Sequence, residues 1–220
     1  MKSFVDLCYG VLFSPRQTFR QIGESPAVGA AVLIVVLVNL LQGAFNSLAG
    51  RTANMSSLNS LKPGLAEEIG PLLNAVNTPG FKLMAVVMGL IFALLWWVTK
   101  SSLLHLIAEM LGGQGTGKGV LTVLGAAQLP AVLLIPVNVL LFSSDGASAL
   151  AGGLAGLLAF AVWVYTALVL PVLGISEVHR FSTLRGAVTV LAPMLVLIVI
   201  MTIFFGLMVG FLAQVAPLIT

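Results

Sequence analysis

The sequence predicts an all-α polytopic integral membrane protein with five transmembrane helices and an N-terminal interfacial amphipathic helix. The first observation is that Pro26 to Ala49 form 24 consecutive residues without an ionisable side chain. A bilayer core about 30 Å thick is crossed by about 20 apolar helical residues. Four further apolar stretches follow, and the five together occupy most of the chain. This leaves no room for a soluble catalytic domain, so we do not expect an enzyme.

The composition supports a membrane protein independently of any one segment. Hydrophobic residues make up 59% of the chain and charged residues 8%, and the mean hydropathy is +1.12. Soluble domains carry about 25% charged residues, so this composition cannot cover a water-exposed surface. The single cysteine, Cys8, excludes an intramolecular disulfide. The net charge of +3 comes from scattered Lys and Arg, which do not form a nucleic-acid footprint.

Residues 1–25 are predicted to form a cytoplasmic segment at the membrane surface. Ser14 to Gln17 have the form of a capping box with proline at the first helical position, which predicts a short helix. Helical spacing places Phe19 on one side of this helix and Arg16 and Arg20 on another. We therefore expect Arg16, Phe19 and Arg20 to lie at the lipid interface. The alternative is an ordinary cytosolic cap that packs on the spans.

The chain is predicted to form a single membrane domain over residues 1–220. Its predicted spans cover about residues 26–47, 81–111, 120–142, 147–170 and 186–214. Residues 50–80 are predicted to form an extracytoplasmic loop with a short helix over 65–76, and the fourth span is predicted to stop at Pro171. Seven Lys and Arg residues lie on the side of the N-terminus and three on the other side. Because basic residues favour the cytoplasmic side, we predict a cytoplasmic N-terminus and an extracytoplasmic C-terminus.

The third span carries two prolines and two amides, and four residues there are candidates for a site: Gln128, Pro130, Pro136 and Asn138. Proline removes a backbone donor and bends a helix, so this span should be kinked, with carbonyls facing neighbouring helices or water. Amides at membrane depth commonly hydrogen-bond between helices. Alternatively, the four residues line a path for a small solute or a lipid.

Two histidines and two glutamates are predicted to lie together on the cytoplasmic side. His105 and Glu109 are one helical turn apart, and Glu177 and His179 follow the fourth span. Two imidazoles and two carboxylates could hold zinc or iron, or relay a proton. The alternative is a structural network of side chains at the interface. We assign no metal or other cofactor.

Residues Gly112 to Gly119 fit most of the phosphate-binding pattern of glycine, four residues, glycine and lysine. The hydroxyl residue that follows the lysine in that pattern is replaced by Gly119. A membrane helix precedes the loop where the pattern requires a β-strand. We therefore interpret the loop as a flexible interfacial connector and keep nucleotide binding as the alternative.

Three parts of the chain carry a resemblance to a known family. They are Leu12–Pro15 with Phe19 and Ile22 downstream, Leu111–Gly115 leading to Gly125–Pro130, and Gly174–His179. Together they span nearly the whole chain in order, and with them it resembles the Yip family of Ypt-interacting membrane proteins, bacterial-type members most closely. Eukaryotic members begin with Asp-Leu-Tyr-Gly, whereas residues 6–10 here read Asp-Leu-Cys-Tyr-Gly and lack the proline that normally follows. The resemblance therefore does not carry a Rab-type partner over to this chain.

The resemblance implies a non-enzymatic multi-pass protein tied to membrane organisation or trafficking, in a bacterial plasma or inner membrane. We predict a membrane-organising or partner-recruiting scaffold, with a small-solute or lipid transporter or channel using the third span as the alternative. The cytoplasmic surface around Gly112–Lys118 and Ser176–Arg185 is the expected contact surface for a protein partner. Membrane lipids and a second copy of the chain are the other expected partners, and nucleic acid is not.

Overall fold

The computed structural model describes residues 4–60, 74–142 and 149–219, with side chains described over 4–46, 74–138 and 152–212. These ranges are helical apart from short turns and contain no strand. In chain order the helices are α1 (Phe4–Phe13), α2 (Pro15–Glu24), α3 (Val28–Ser60), α4 (Pro79–Met110), α5 (Gly117–Ala126), a 3-10 helix (Leu129–Leu133), α6 (Leu134–Phe142), α7 (Ala149–Val164), a π-helical turn (Tyr165–Val169), α8 (Leu170–His179) and α9 (Thr183–Ile219).

Five stretches of the described chain are long and apolar enough to cross a membrane. They are Val28–Asn46, Pro79–Met110, Gly117–Asn138, Gly152–His179 and Thr183–Leu212. The predicted all-α fold with five spans and a short N-terminal helix is therefore confirmed. Because consecutive spans run in opposite directions, α1, α2, the 111–116 loop and the 180–182 turn all lie at one end of the bundle. We call this end the N-terminal face.

The first span belongs to a helix that continues beyond the predicted boundary. α3 runs to Ser60, so residues 50–60 are helical and not part of a loop. No proline occurs between Pro26 and Pro63, and nothing in the sequence breaks the helix earlier. Most of the predicted short helix over 65–76 lies outside the described residues, and 74–76 form a helical turn.

The fourth span does not stop at Pro171 but continues to His179. The helical turn just before Pro171, Tyr165–Val169, is π-helical. A proline within a helix clashes with the carbonyl four residues back, which for Pro171 belongs to Ala167 in this turn. A π turn hydrogen-bonds from residue i to i+5 and is wider than an α turn. The wider turn accommodates the proline ring, and the helix continues.

The third span is interrupted in the region where its prolines predict a kink. α5 ends at Ala126, and a 3-10 helix that includes Pro130 follows it. α6 then begins at Leu134 and contains Pro136. The two segments therefore do not form one straight helix.

Close packing is concentrated in the half of the bundle next to the N-terminal face. α5 is largely buried and lies against α3, α4 and α8. Gly125 permits this approach, since an added Cβ would lie 2.8 Å from Cβ of Ala31 and 3.1 Å from Cζ2 of Trp97. In the other half, the described apolar side chains of α4, α7 and α9 are mostly exposed, as along Met194–Leu212. A helix that is apolar on all sides is suited to lipid surroundings.

α2 packs its apolar side into the protein and not into lipid. Phe19 is 0% exposed and Ile22 is also buried, and α2 lies against α8. The structure thus corrects the expected lipid contact of Phe19, whereas Arg16 and Arg20 are exposed. The apolar side of α2 packs mainly on α8, so α2 is a cap that packs on the spans, as in the alternative. Ser14 makes no side-chain cap bond.

α1, and not α2, presents an apolar side to the surroundings. Leu7 and Val11 are buried. The opposite side of the helix is formed by exposed apolar residues: Phe4, Val5, Tyr9, Leu12 and Phe13. An apolar face at the end of the first span is suited to the boundary between headgroups and acyl chains.

Candidate functional site

The glycine-rich loop and the end of α8 meet at the N-terminal face around His179. This side chain is 1% exposed. The backbone N–H of Gly115 donates to its Nδ1 at 3.0 Å, and the N–H of Gln114 donates to its backbone carbonyl at 3.3 Å. Two hydrogen bonds therefore join the loop to one residue that is more than 60 positions away in the sequence.

The loop needs glycine because it lies directly on α8 and on the end of α4. A Cβ on Gly113 would lie 2.8 Å from both Cγ of His179 and the carbonyl oxygen of Ala108. A Cβ on Gly115 would lie 2.7 Å from the carbonyl oxygen of Val178. Gly112 has φ +83°, the left-handed conformation that commonly closes a helix with glycine. The loop is thus a connector that is closely packed against α8 and the end of α4, and the interpretation of it as flexible is not supported.

The N–H groups at the start of this loop are already used within the protein. Those of Gly112 and Gly113 donate to carbonyls of α4 at 2.9 Å each, and those of Gln114 and Gly115 donate to His179. A phosphate-binding loop works by aiming such groups at the ligand. These four donors are not arranged to do so.

His179, His105 and Glu109 form a linear chain from the interior to the surface. Because Nδ1 of His179 accepts the Gly115 bond, its neutral ring carries a proton on Nε2, which faces Nδ1 of His105 at 3.5 Å. His105 then carries its own proton on Nε2, 3.4 Å from Oε1 of Glu109. Both distances are long for hydrogen bonds. The chain orients the rings and ends at a carboxylate whose side chain is 53% exposed.

Glu177 does not join the two histidines. Residues two apart on a helix point in different directions, and Glu177 lines a separate cavity with Arg20 and Glu24. Across the described ranges, no group of three or more His, Cys, Asp or Glu side chains could hold a metal ion. Three of the four candidate residues therefore come together, but along a line and not around one point.

The candidate residues of the third span lie against α3. Nδ2 of Asn39 donates to Oε1 of Gln128 at 3.1 Å, and Nε2 of Gln42 donates to the Ala131 carbonyl in the 3-10 helix at 3.0 Å. Pro130 is buried within this contact. In α6, Pro136 is exposed and Asn138 is half-buried. The amide of Gln128 therefore hydrogen-bonds between helices.

A family model, the Yip1 domain, matches residues 9–212. The chain belongs to the Yip1 domain family. The match covers the five spans, the glycine-rich loop and the end of α8, so the predicted Yip resemblance is confirmed and the protein is a multi-pass membrane protein. No curated protein matches the chain, and no solved structure does.

Two residues of this Yip1 domain that sequence reasoning did not single out support the loop. Phe181 stacks on the ring of His179, with centroids 5.6 Å apart and an interplanar angle of 17°. Nη1 of Arg185 lies 3.5 Å from the Leu111 carbonyl, where α4 ends. Phe181 lies in the 180–182 turn, and Arg185 lies in the first turn of α9. Phe181 is two residues from His179. Leu111 is 74 positions from Arg185, so no local pattern could have connected that second pair.

A third residue outside the sequence candidates joins the second and third spans of the Yip1 domain. Trp97 is 4% exposed, and its Nε1 donates to the backbone carbonyl of Leu121 at 3.1 Å. Its neighbour Trp96 is 60% exposed. Nothing in the sequence distinguishes the two tryptophans, since both lie in the same apolar run.

Proposed function

We propose that this Yip1 domain protein is a non-enzymatic membrane-organising or partner-recruiting scaffold, with the N-terminal face as its contact surface. The observation that supports this most directly is the attachment of the glycine-rich loop to His179 by two hydrogen bonds. A surface held in one conformation loses less entropy when a partner binds. A fitted loop of this kind suits recognition better than catalysis.

The side chains on this surface favour a protein partner. The loop presents Gln114, Thr116 and Lys118 to solvent. Two large apolar side chains at the same face, Met110 and Leu184, are 79% and 74% exposed. Polar groups around exposed apolar anchors are typical of interfaces, where a few buried anchors supply most of the binding energy.

The distribution of basic residues supports a cytoplasmic location for the N-terminal face. Basic side chains described at this face are Arg16, Arg20, Lys118, Arg180 and Arg185. Lys and Arg near the ends of spans favour the cytoplasmic side. We therefore infer that the N-terminus is cytoplasmic and the C-terminus extracytoplasmic, in a bacterial plasma or inner membrane.

The alternative function, a transporter or channel along the third span, has less support. The amide of Gln128 is bonded to Asn39, and that of Gln42 is bonded to the Ala131 carbonyl. Groups that satisfy one another in this way are less suited to exchange with a passing solute. Reconstituted protein should give no saturable flux. The double substitution Gln128→Leu with Asn138→Leu should leave the flux unchanged.

The scaffold is tested by placing a photo-crosslinking residue at Gln114 in the full chain in cells. We expect a discrete adduct that is lost with Gly115→Ala, because the added Cβ displaces the loop. A probe at Thr78, at the opposite end of α4, is the control and should not give the same adduct. Gly89→Ala is the control substitution, since its Cβ would meet nothing within 4 Å. Saturable flux without a Gln114 adduct would favour the transporter instead.

A further inference from the structure

A polar cavity of about 450 Å³ lies at the N-terminal face between α2, the end of α8 and the start of α9. Its volume falls within the range of about 300–1,000 Å³ found for small-molecule sites. Four charged residues line it: Arg20, Glu24, Glu177 and Arg180. Three hydroxyl residues line it as well: Ser176, Ser182 and Thr183. The cavity is thus strongly polar although it adjoins the ends of two spans.

The four charges of the cavity are not paired with one another. Among the described residues, no N–O distance of 4.0 Å or less joins these four charged groups to one another. Two guanidinium and two carboxylate groups give the lining no net charge. Unpaired charges of both signs complement a ligand that itself carries both signs.

The walls of the cavity are fixed by packing. Phe19 and Ile22 hold α2 in the core. A Cβ on Gly23 would lie 3.4 Å from Cα of Val178, so α2 and α8 are in close contact there. Ser176 is buried, and its hydroxyl donates to the Leu173 carbonyl at 2.8 Å. The charged groups are therefore presented by a rigid frame.

Arg180 occupies a position that glycine would occupy with less strain. Its φ of +55° and ψ of +38° are left-handed, and no other non-glycine residue in the described part has positive φ. Its N–H and that of Phe181 both donate to the Ser176 carbonyl, which closes α8 in the manner usually served by glycine. Arginine does not stabilise the left-handed backbone conformation at this position. What arginine adds is a guanidinium at the cavity.

We propose that this cavity binds the headgroup of a zwitterionic phospholipid of the ethanolamine type. The phosphate lies at Arg20 and Arg180, because guanidinium groups match phosphate oxygens with paired hydrogen bonds. The ammonium lies at Glu24 and Glu177. The 180–182 turn joins the ends of the fourth and fifth spans, which places the cavity at headgroup level. This inference requires no protein partner and goes beyond the scaffold function.

The test measures binding of phosphatidylethanolamine, labelled with a fluorophore on an acyl chain so that its ammonium stays free, to the purified full chain in nonionic detergent. Arg180→Gly should weaken binding by about tenfold, the effect of losing one charge-assisted hydrogen bond. The same variant should not lower the melting temperature, because glycine suits the left-handed conformation. Arg16→Ala is the matched control, since Arg16 is exposed on α2 and does not line the cavity. It should bind the lipid as the parent does.

A second comparison tests the role assigned to the carboxylates. The parent should prefer phosphatidylethanolamine to phosphatidylglycerol, which is anionic. The double substitution Glu24→Gln with Glu177→Gln should reverse this preference, because it removes the groups that hold the ammonium and repel an anion. Equal binding of both lipids by the parent, or parental binding by Arg180→Gly, would overturn the proposal.

Two further outcomes would also overturn it. Displacement of the lipid by soluble glycerophosphoethanolamine at equal affinity would assign the cavity to a free zwitterion and not to a membrane lipid. Loss of the Gln114 crosslink in Arg180→Gly, with lipid binding unchanged, would assign the cavity to a protein partner. Lipid binding without any Gln114 adduct would support the lipid site while removing the scaffold, so the two proposals fail separately.

Discussion

His179 accepts a hydrogen bond from the backbone N–H of Gly115 at 3.0 Å, across 64 positions of sequence. This bond ties the connector between the second and third spans to the end of the fourth. It also fixes which ring nitrogen of His179 is protonated in the neutral form. The neutral ring should therefore give the ¹⁵N NMR shifts of the tautomer protonated at Nε2. Protonation at Nδ1 alone would contradict this assignment.

Gly115→Ala should destabilise the protein by about 1–3 kcal/mol, the usual cost of forcing an extra methyl group into a packed site. The added Cβ would lie 2.7 Å from the Val178 carbonyl oxygen, and backbone atoms cannot rotate away as a side chain can. Thermal unfolding in detergent measures the effect. Gly89→Ala, a helical glycine with open space around it, should be neutral or stabilising by up to about 1 kcal/mol. Equal losses in the two variants would count against a fitted loop.

Trp97→Phe should lower the free energy of unfolding by about 1–2 kcal/mol. The substitution leaves the Leu121 carbonyl without the indole donor at 3.1 Å and removes buried surface. Trp96→Phe is matched in chemistry and sequence position, but Trp96 is 60% exposed and should have little effect. Chemical denaturation in mixed micelles compares the two. A larger loss at Trp96 would show that the wrong indole had been placed in the core.

Asn39 and Gln128 should show coupling in a double-mutant cycle. Asn39→Leu alone leaves Oε1 of Gln128 without the donor it has at 3.1 Å, and Gln128→Leu removes the acceptor. Replacing both should cost less than the sum of the single changes. Coupling energies for such bonds within membranes average about 0.6 kcal/mol and reach about 1.7. Additive losses in the thermal unfolding of the three variants would exclude a direct interaction.

Cys8 should react slowly with maleimide at neutral pH. Burial raises the pKa of its thiol, since a thiolate is poorly solvated inside the protein. A raised pKa in the folded state means that the thiol favours folding at neutral pH, and that this contribution is lost as the pH rises through the folded-state pKa. In a Cys8→Ser background, Arg16→Cys places a thiol at an exposed position of α2 and should label faster. Labelling of both at one rate in the folded protein would contradict this.

The sequence was sufficient to predict the five spans because each depends on a local property, an apolar run of adequate length. It was not sufficient for α2, because the spacing of Phe19 and the arginines indicates two different faces without saying what covers the apolar one. Pro171 was misleading for a related reason. A proline indicates a clash with the carbonyl four residues back, but it does not indicate whether the helix ends there or continues through a π turn, as it does here.

The candidate site was predictable only in part. The pairing of His105 with Glu109 follows from helical spacing, and the structure brings His179 beside them. The contact of His179 with Gly115 depends on how the spans are arranged, and one sequence carries no signal for that. The role of the loop glycines was missed because the sequence does not distinguish a glycine that is needed for close packing from one that gives flexibility.

The concentration of close packing near the N-terminal face has a consequence for the surrounding bilayer. In that leaflet protein atoms fill the space between spans, and the cross-section of the bundle is fixed. In the opposite leaflet acyl chains must occupy much of the space around the apolar side chains of Met194–Leu212. A change in bilayer thickness or lateral pressure would thus be absorbed on one side of the membrane and resisted on the other.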